Sequence, residues 1–117
     1  MMSARILYVD DEVELLDLAR SFFEDESLPL ETCSDFHQAV NLVKSARFDV
    51  IISDAKMPSG SGHELFHLLR HQLGFKGKLI LVTGNLEKPG IQTDYDLVIY
   101  KPIKFHDLID VVKSFLI

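Results

Sequence analysis

The sequence predicts an α/β domain, a parallel sheet covered on both faces by helices. Three observations predict it. Short apolar runs alternate with stretches of helical spacing, the pattern of βαβ units. The runs at 5–9, 48–53, 78–83 and 97–100 are almost continuously apolar, as strands buried on both faces are. These runs are followed by polar residues at Asp10 and Asp11, at Asp54, at Thr83 and at Lys101.

The elements follow in order. Residues 5–9 (RILYV) form the first strand, and Asp10-Asp11-Glu12 follow at once. Val13, Leu16, Ala19, Phe22 and Phe23 recur at helical spacing. Asp10 or Asp11 can cap this helix, while Glu12 and Glu14 suit its positive end. Leu28-Pro29 interrupts, and 30–33 is a weaker second strand. Ser34-Asp35 reads as a cap for a second helix whose buried stripe is Ala39, Val40, Val43 and Ala46. Residues 48–53 make the third strand, which delivers Asp54 to a loop rich in serine and glycine, VIISDAKMPSGSG. A third helix spans 63–73 with Leu65, Phe66, Leu69 and Leu73 inward, and Gly74 and Gly77 bracket its exit. Residues 78–83 (KLILVT) are the fourth strand. The stretch 84–96 (GNLEKPGIQTDYD) holds Pro89-Gly90 and few apolar residues, so a loop with at most one helical turn is expected. Residues 97–100 (LVIY) are the fifth strand, broken by Lys101-Pro102. A last helix spans 105–116, with Leu108, Ile109, Val112, Phe115 and Leu116 on one side.

The bulk numbers bound the rest. A chain of 117 residues with 47% apolar and 26% charged residues suits one soluble domain, expected over 1–117. Cys33 is the only cysteine, so no internal disulfide can form, and a lone thiol fits a reducing compartment. It reads as a small buried strand residue, and the acids at Glu24, Asp25 and Glu26 read as a solvated helix end. The N-terminus lacks the pattern of a signal peptide, and no apolar run approaches the ~18 residues of a membrane span. A cytoplasmic location is therefore expected. A net charge of −6 argues against direct binding to nucleic acid. No internal repeat, linker or low-complexity segment is present.

In a parallel sheet the carboxyl ends of the strands share one edge, where open α/β sheets place their ligands. Three carboxylates (Asp10, Asp11, Asp54), the Thr83 hydroxyl and the Lys101 ammonium should therefore meet in one crevice. Like charges at such spacing raise one another's pKa unless something positive sits among them. A hard divalent cation with oxygen ligands fits, Mg²⁺ being usual where phosphate is also bound. Lys101 can reach a phosphate oxygen and Thr83 can donate to another. These are the parts of phosphoryl transfer to a carboxylate, with Asp54 as nucleophile.

Asp10-Asp11, Asp54-x-x-Met57-Pro58-x-x-x-Gly62, Thr83 and Lys101-Pro102 together resemble the receiver domain of two-component response regulators, in the family's order and over essentially the whole chain. The resemblance implies a flavodoxin-like five-stranded sheet of order 2-1-3-4-5. It implies that Asp54 accepts a phosphoryl group from a sensor histidine kinase or phosphotransfer protein. Asp11, Asp54 and the backbone carbonyl of Lys56 would hold Mg²⁺, with Asp10 helping through water. Thr83 and Lys101 would contact the phosphoryl oxygens, and the Lys101-Pro102 bond would be cis. The domain would phosphorylate itself and slowly dephosphorylate, without being a turnover enzyme. Its partners would be the kinase and an output protein, with a homodimer compatible with the family.

Two departures stand out. Val98 occupies the position where the family usually carries an aromatic switch residue. Tyr100 shares its strand parity and is the expected substitute. The 84–96 connection is short for a full fourth helix, which is therefore expected to be short or missing. Gly84, directly after Thr83, leaves the crevice open to a phosphodonor or water.

Three rival functions are weaker. A Mg²⁺-dependent phosphatase of the haloacid-dehalogenase kind wants a second Asp two residues after the nucleophile, where this chain has Lys56. A pseudo-receiver, an interaction module that never takes phosphate, is opposed by the intact site residues. Flavin binding lacks a phosphate-cradling loop after the first strand. His63-Glu64-Leu65-Phe66-His67 matches the H-E-x-x-H zinc-protease pattern, but a catalytic zinc needs a third protein ligand. His71 continues the stripe, yet it lies about 12 Å from His63 along a helix that rises ~1.5 Å per residue. A solvated face is expected there, with incidental affinity for nickel or zinc in a pair such as His63/His67.

Overall fold

Alternation of apolar residues along the strands divides the interior in two. In the computed structural model, which describes residues 4–84 and 94–117, the order is β1 (Ile6–Val9), α1 (Val13–Asp25), β2 (Leu30–Cys33), α2 (Phe36–Ser45), β3 (Val50–Asp54), α3 (Gly62–His71), β4 (Lys78–Thr83), β5 (Leu97–Tyr100) and α4 (Phe105–Phe115). All strand pairs are parallel and the sheet runs β2-β1-β3-β4-β5, the flavodoxin-like order expected. Ile6, Tyr8, Val50, Ile52, Ile80 and Val82 point to one face and pack under α1 and α4. Leu7, Val9, Ile51, Leu79 and Leu81 point to the other and pack under α2 and α3. Successive strand residues face opposite ways, so each strand supplies both cores. β5 departs from the expected double burial, because it forms the sheet edge and its residues are half-buried or, at Tyr100, exposed.

Local chemistry fixes the helix ends. Asp35 accepts from the amides of His37 (2.7 Å) and Gln38 (3.0 Å) and caps α2 as expected. Ser61 and Glu64 form a reciprocal capping box at the start of α3. That helix ends at His71, earlier than the apolar stripe implies; Leu73 turns back onto the carbonyl of Leu68, and Gly74 takes a left-handed φ of +67°. α1 is capped by neither Asp10 nor Asp11: Glu12 is its N-cap residue, without a side-chain bond. Asp10 instead accepts the Glu12 amide at 2.9 Å, a turn ahead of the helix. β3 starts at Val50 and not at residue 48; just before it, the Asp49 carboxylate accepts the Arg5 amide at 2.8 Å. Phe48 is still buried in the α2/α3 core. Glu26, expected as part of a solvated end, pairs with Lys113 of α4 at 2.9 Å. The expectation for the 84–96 connection falls mostly on residues 85–93, outside the described residues. The described residues hold four helices.

Arg70 of α3 joins that helix to the strand layer. It donates to the carbonyls of Phe75 (2.9 Å), Gly77 (2.7 Å) and Asp94 (3.2 Å), and to the Asp96 carboxylate (2.9 Å). Asp96 in turn accepts the Leu79 amide at 2.8 Å. Arg5 makes a bidentate pair with Glu31 instead, and both side chains are about two-fifths exposed. Each protein–protein hydrogen bond contributes about 0.5–1.5 kcal/mol, and an exposed ion pair up to ~1 kcal/mol. Arg70→Met is therefore expected to lower unfolding free energy by roughly 2–4 kcal/mol, clearly more than Arg5→Met, whose ion pair lies in solvent. Denaturant titration of the two variants checks this, and equal losses would contradict it.

Candidate functional site

Strand register carries the polar residues to one edge. Val9 lies opposite Ser53, so Asp10 emerges beside Asp54, the last residue of β3. Asp54 is level with Val82, and Thr83 follows as the last residue of β4. Thr83 is level with Tyr100, and the Lys101 amide donates to the Thr83 carbonyl at 2.8 Å. The Lys101-Pro102 bond is cis.

Asp10, Asp11 and Asp54 each bring a carboxylate oxygen within 4.8 Å of the other two. Asp10 and Asp54 are buried and Asp11 is exposed. Lys101 Nζ stands 3.1 Å from Asp54 Oδ1. Thr83 is buried at the same edge, and Lys56 is exposed on the loop two residues past Asp54. The structure thus gathers Asp10, Asp11, Asp54 and Lys101 as the sequence predicts, and places Thr83 at the end of the adjoining strand.

The electrostatics are strained toward the negative. Burial, and then the charge of Asp54, push the Asp10 carboxyl up to about 6 against the pull of the Glu12 amide and Lys101. Lys101 loses some hydration, but its hydrogen bond to Asp54 and the surrounding acids hold its ammonium above the usual range. Asp10 Oδ2 is buried with no hydrogen-bond partner among the described residues. A buried carboxylate oxygen without a donor is costly, and three clustered carboxylates beside one ammonium leave excess negative charge. A hard divalent cation with oxygen ligands meets both needs, so the donor set fits the ion expected here.

Glycine shapes the rim. A Cβ on Gly62 would fall 2.5 Å from the Asp54 carbonyl oxygen and 2.9 Å from the Leu81 side chain, so only glycine lets α3 begin this close to the acceptor. A Cβ on Gly84 would meet nothing within 4 Å among the described residues.

Sequence reasoning missed Tyr8. It reads as one more member of an apolar run, but its buried hydroxyl has no hydrogen-bond partner among the described residues. Burial and the nearby charges of Asp10 and Asp54 raise its pKa. The available signal was parity, since Tyr8 precedes Asp10 by two on an extended segment and shares its face. Cys33 is buried as expected, and burial pushes its thiol up to about 11, a value for an unreactive group. Glu64 of the H-E-x-x-H pattern is engaged in the α3 cap, and the His63 ring packs edge-on to Tyr95.

Comparison with known proteins gives the class. The response regulator receiver domain family matches residues 6–113, and the chain belongs to that family. It is 26% identical over 115 residues to the regulatory protein VanRc of Enterococcus gallinarum, covering 97% of this chain and 50% of that protein. The chain thus spans about half the length of that relative. The response regulator protein TrrA of Thermotoga maritima, in complex with Mg(2+)-BeF, superimposes with a TM-score of 0.85 at 27% identity, over 96% of this chain and 98% of that one. A chain from the crystal structure of histidine kinase ThkA in complex with TrrA gives 0.86 at 28% identity, over 97% and 99%. Receiver domains act in two-component systems and interact with sensor histidine kinases. No helix among the described residues is long and apolar enough to cross a membrane.

The raised Asp10 carboxyl sets a pH dependence for the metal-free protein. The folded group binds its proton more tightly than the unfolded one, whose value is near ~4. Its contribution to stability is therefore full in acid and is lost as pH rises through about 6. Asp10→Asn removes that loss. In chelator the variant is expected to exceed the parent by about 1–3 kcal/mol near neutral pH, with the gap closing toward pH ~4. Thermal unfolding across that range measures it, and a gap that does not change with pH would refute the assignment.

Proposed function

We propose that this domain is a phosphoacceptor: Asp54 takes a phosphoryl group from the phosphohistidine of a sensor kinase or phosphotransfer protein, and the domain then changes what it binds. The observation that carries this reading is the buried Asp54 carboxylate at a strand end, 3.1 Å from Lys101 and clustered with Asp10 and Asp11.

An Asp54 oxygen forms a bond to phosphorus as the phosphorus–nitrogen bond to the donor imidazole breaks, and the leaving nitrogen keeps the electron pair and takes a proton. Asp11, Asp54 and the Lys56 carbonyl are the residues that would hold Mg²⁺, with Asp10 acting through water. The bound ion would neutralise charge on the transferring group. Lys101 sits where it can pair with a phosphoryl oxygen in place of its present contact with Asp54. Thr83, on the neighbouring strand end, can donate to another. Gly84 keeps a route clear for the donor, and for the water that later hydrolyses the acyl phosphate. One phosphoryl group per domain, slowly lost, is the behaviour of a signalling module and not of a turnover enzyme. The similarity to TrrA, seen both with Mg(2+)-BeF and with a histidine kinase, supports the ion and the donor.

Intact mass after incubation with Mg²⁺ and a small phosphodonor tests the chemistry. The parent is expected to gain one phosphoryl group, while Asp54→Asn and the chelator-treated parent gain none. Equal labelling of parent and variant would move the acceptor elsewhere, and no labelling of the parent would make the domain a pseudo-receiver.

Tyr100 is the residue we assign to reading out the state. Val98 is half-buried against the α2/α3 core, whereas Tyr100 is 42% exposed and level with Thr83. An inward swing of its ring would bury it. The chain has no tryptophan, so tyrosine emission reports directly. Acrylamide quenching of that emission is expected to fall on phosphorylation in the parent but not in Tyr100→Phe. The same fall in both would remove Tyr100 from the switch.

A further inference from the structure

Away from the acidic crevice, two imidazoles and a carboxylate converge. His67 and His71 stand one turn apart on α3, with ring centroids 4.4 Å apart. Asp94, in the stretch that leads into β5, reaches both. Its Oδ1 lies 2.8 Å from His71 Nε2, and its Oδ2 lies 3.4 Å from His67 Nδ1. One ligand atom from each residue lies within 4.8 Å of the other two. We infer that His67, His71 and Asp94 bind a single divalent transition-metal ion, zinc in the first instance, with water completing its coordination.

The donor set is the first reason. Two imidazole nitrogens and a carboxylate oxygen are ligands zinc takes, and histidines four apart on a helix can meet one ion. Tetrahedral zinc with bonds of ~2.0–2.2 Å sets its ligand atoms about 3.3 Å apart. The two contacts to Asp94, at 2.8 and 3.4 Å, lie on either side of that spacing, so small side-chain adjustments suffice. Each neutral ring frees its facing nitrogen by carrying its proton on the other one, Nε2 of His67 and Nδ1 of His71.

Support behind the ligands is the second reason. Arg70, on the same helix, donates to the Asp94 backbone carbonyl at 3.2 Å and to the Asp96 carboxylate at 2.9 Å. It also donates to the carbonyls of Phe75 and Gly77. It therefore fixes the chain that bears the ligand and leaves the Asp94 carboxylate to the imidazoles. Ligands held from behind in this way lose less freedom on binding. Both histidines are more than half exposed, so an ion can enter.

The pair that forms is His67/His71, in place of the His63/His67 pair expected from sequence. His63 packs on Tyr95, and Glu64 is held in the helix cap, so the Glu of the H-E-x-x-H pattern is not placed as a general base. The two metal sites also differ in chemistry. The crevice offers oxygen alone, suited to Mg²⁺, whereas imidazole favours zinc and its neighbours in the transition series.

Titration calorimetry of untagged protein with zinc chloride, in excess Mg²⁺ that occupies the crevice, tests the site. One zinc per chain is expected. His67→Ala, His71→Ala and Asp94→Asn should each weaken binding at least tenfold, while His63→Ala should stay within twofold of the parent. Cobalt substitution should give the visible absorption of a low-coordinate nitrogen–oxygen site, lost in the same three variants. Asp54→Asn should keep full zinc affinity, which separates this test from that of phosphorylation. Absence of zinc binding in the parent would overturn the inference. So would zinc binding that survives the His67→Ala/His71→Ala double substitution or disappears with Asp54→Asn.

Discussion

The crowding of carboxylates at one sheet edge is the constraint from which the rest follows. Two unit charges within 4.8 Å of each other repel by at least on the order of 3 kcal/mol at an effective dielectric near 20. A domain of this size has roughly 5–15 kcal/mol of net stability, so such repulsion is a substantial fraction of the whole. Local structure offers little relief. Among the described residues, Asp10 has one oxygen on the Glu12 amide and the other on nothing, and Lys101 is the cation that pairs with Asp54. The crowding is held by the framework beneath it. The edge is the end of four strands whose side chains fill two separate cores, and register leaves Asp10 and Asp54 no room to part.

That framework was legible because strand burial writes itself into sequence. Residues covered on both faces must be apolar in succession, so β1, β3 and β4 could be placed within a residue or two. The crevice was legible for a related reason: parallel strands put their last residues on the same side, whatever their separation along the chain. Where a residue had two plausible employers, sequence could not choose between them. Asp10 and Asp11 look like helix caps and ligands alike, and only in the folded chain is it plain that α1 begins without their help. Phe48 looked like a strand residue because it is buried, although its backbone lies outside the ladder. β5 looked like an interior strand because apolar composition does not reveal that, among the described residues, no further strand pairs with it.

The histidine stripe shows the opposite limit. Helical spacing identifies His63, His67 and His71 as neighbours, but the choice among them is made by Asp94, 23 residues beyond His71. No spacing rule links a helix to a residue returning from another connection. Arg70 lay in the same blind spot. It reads as a polar residue on a helix, yet it reaches four residues outside that helix.

The missing clearance at Gly62 has a mechanical meaning. With the first residue of α3 seated against the Asp54 carbonyl and the Leu81 side chain, strand tip and helix root behave as one rigid joint. Any displacement of the acceptor's backbone must tip the helix, and about 15 Å of helical rod magnifies a small angle at its root into a larger sweep at its far end. The far end is where Arg70 and His71 sit. A disturbance at the acidic edge is therefore geared to the opposite rim of the molecule, with one hydrogen atom in place of a methyl group as the hinge pin.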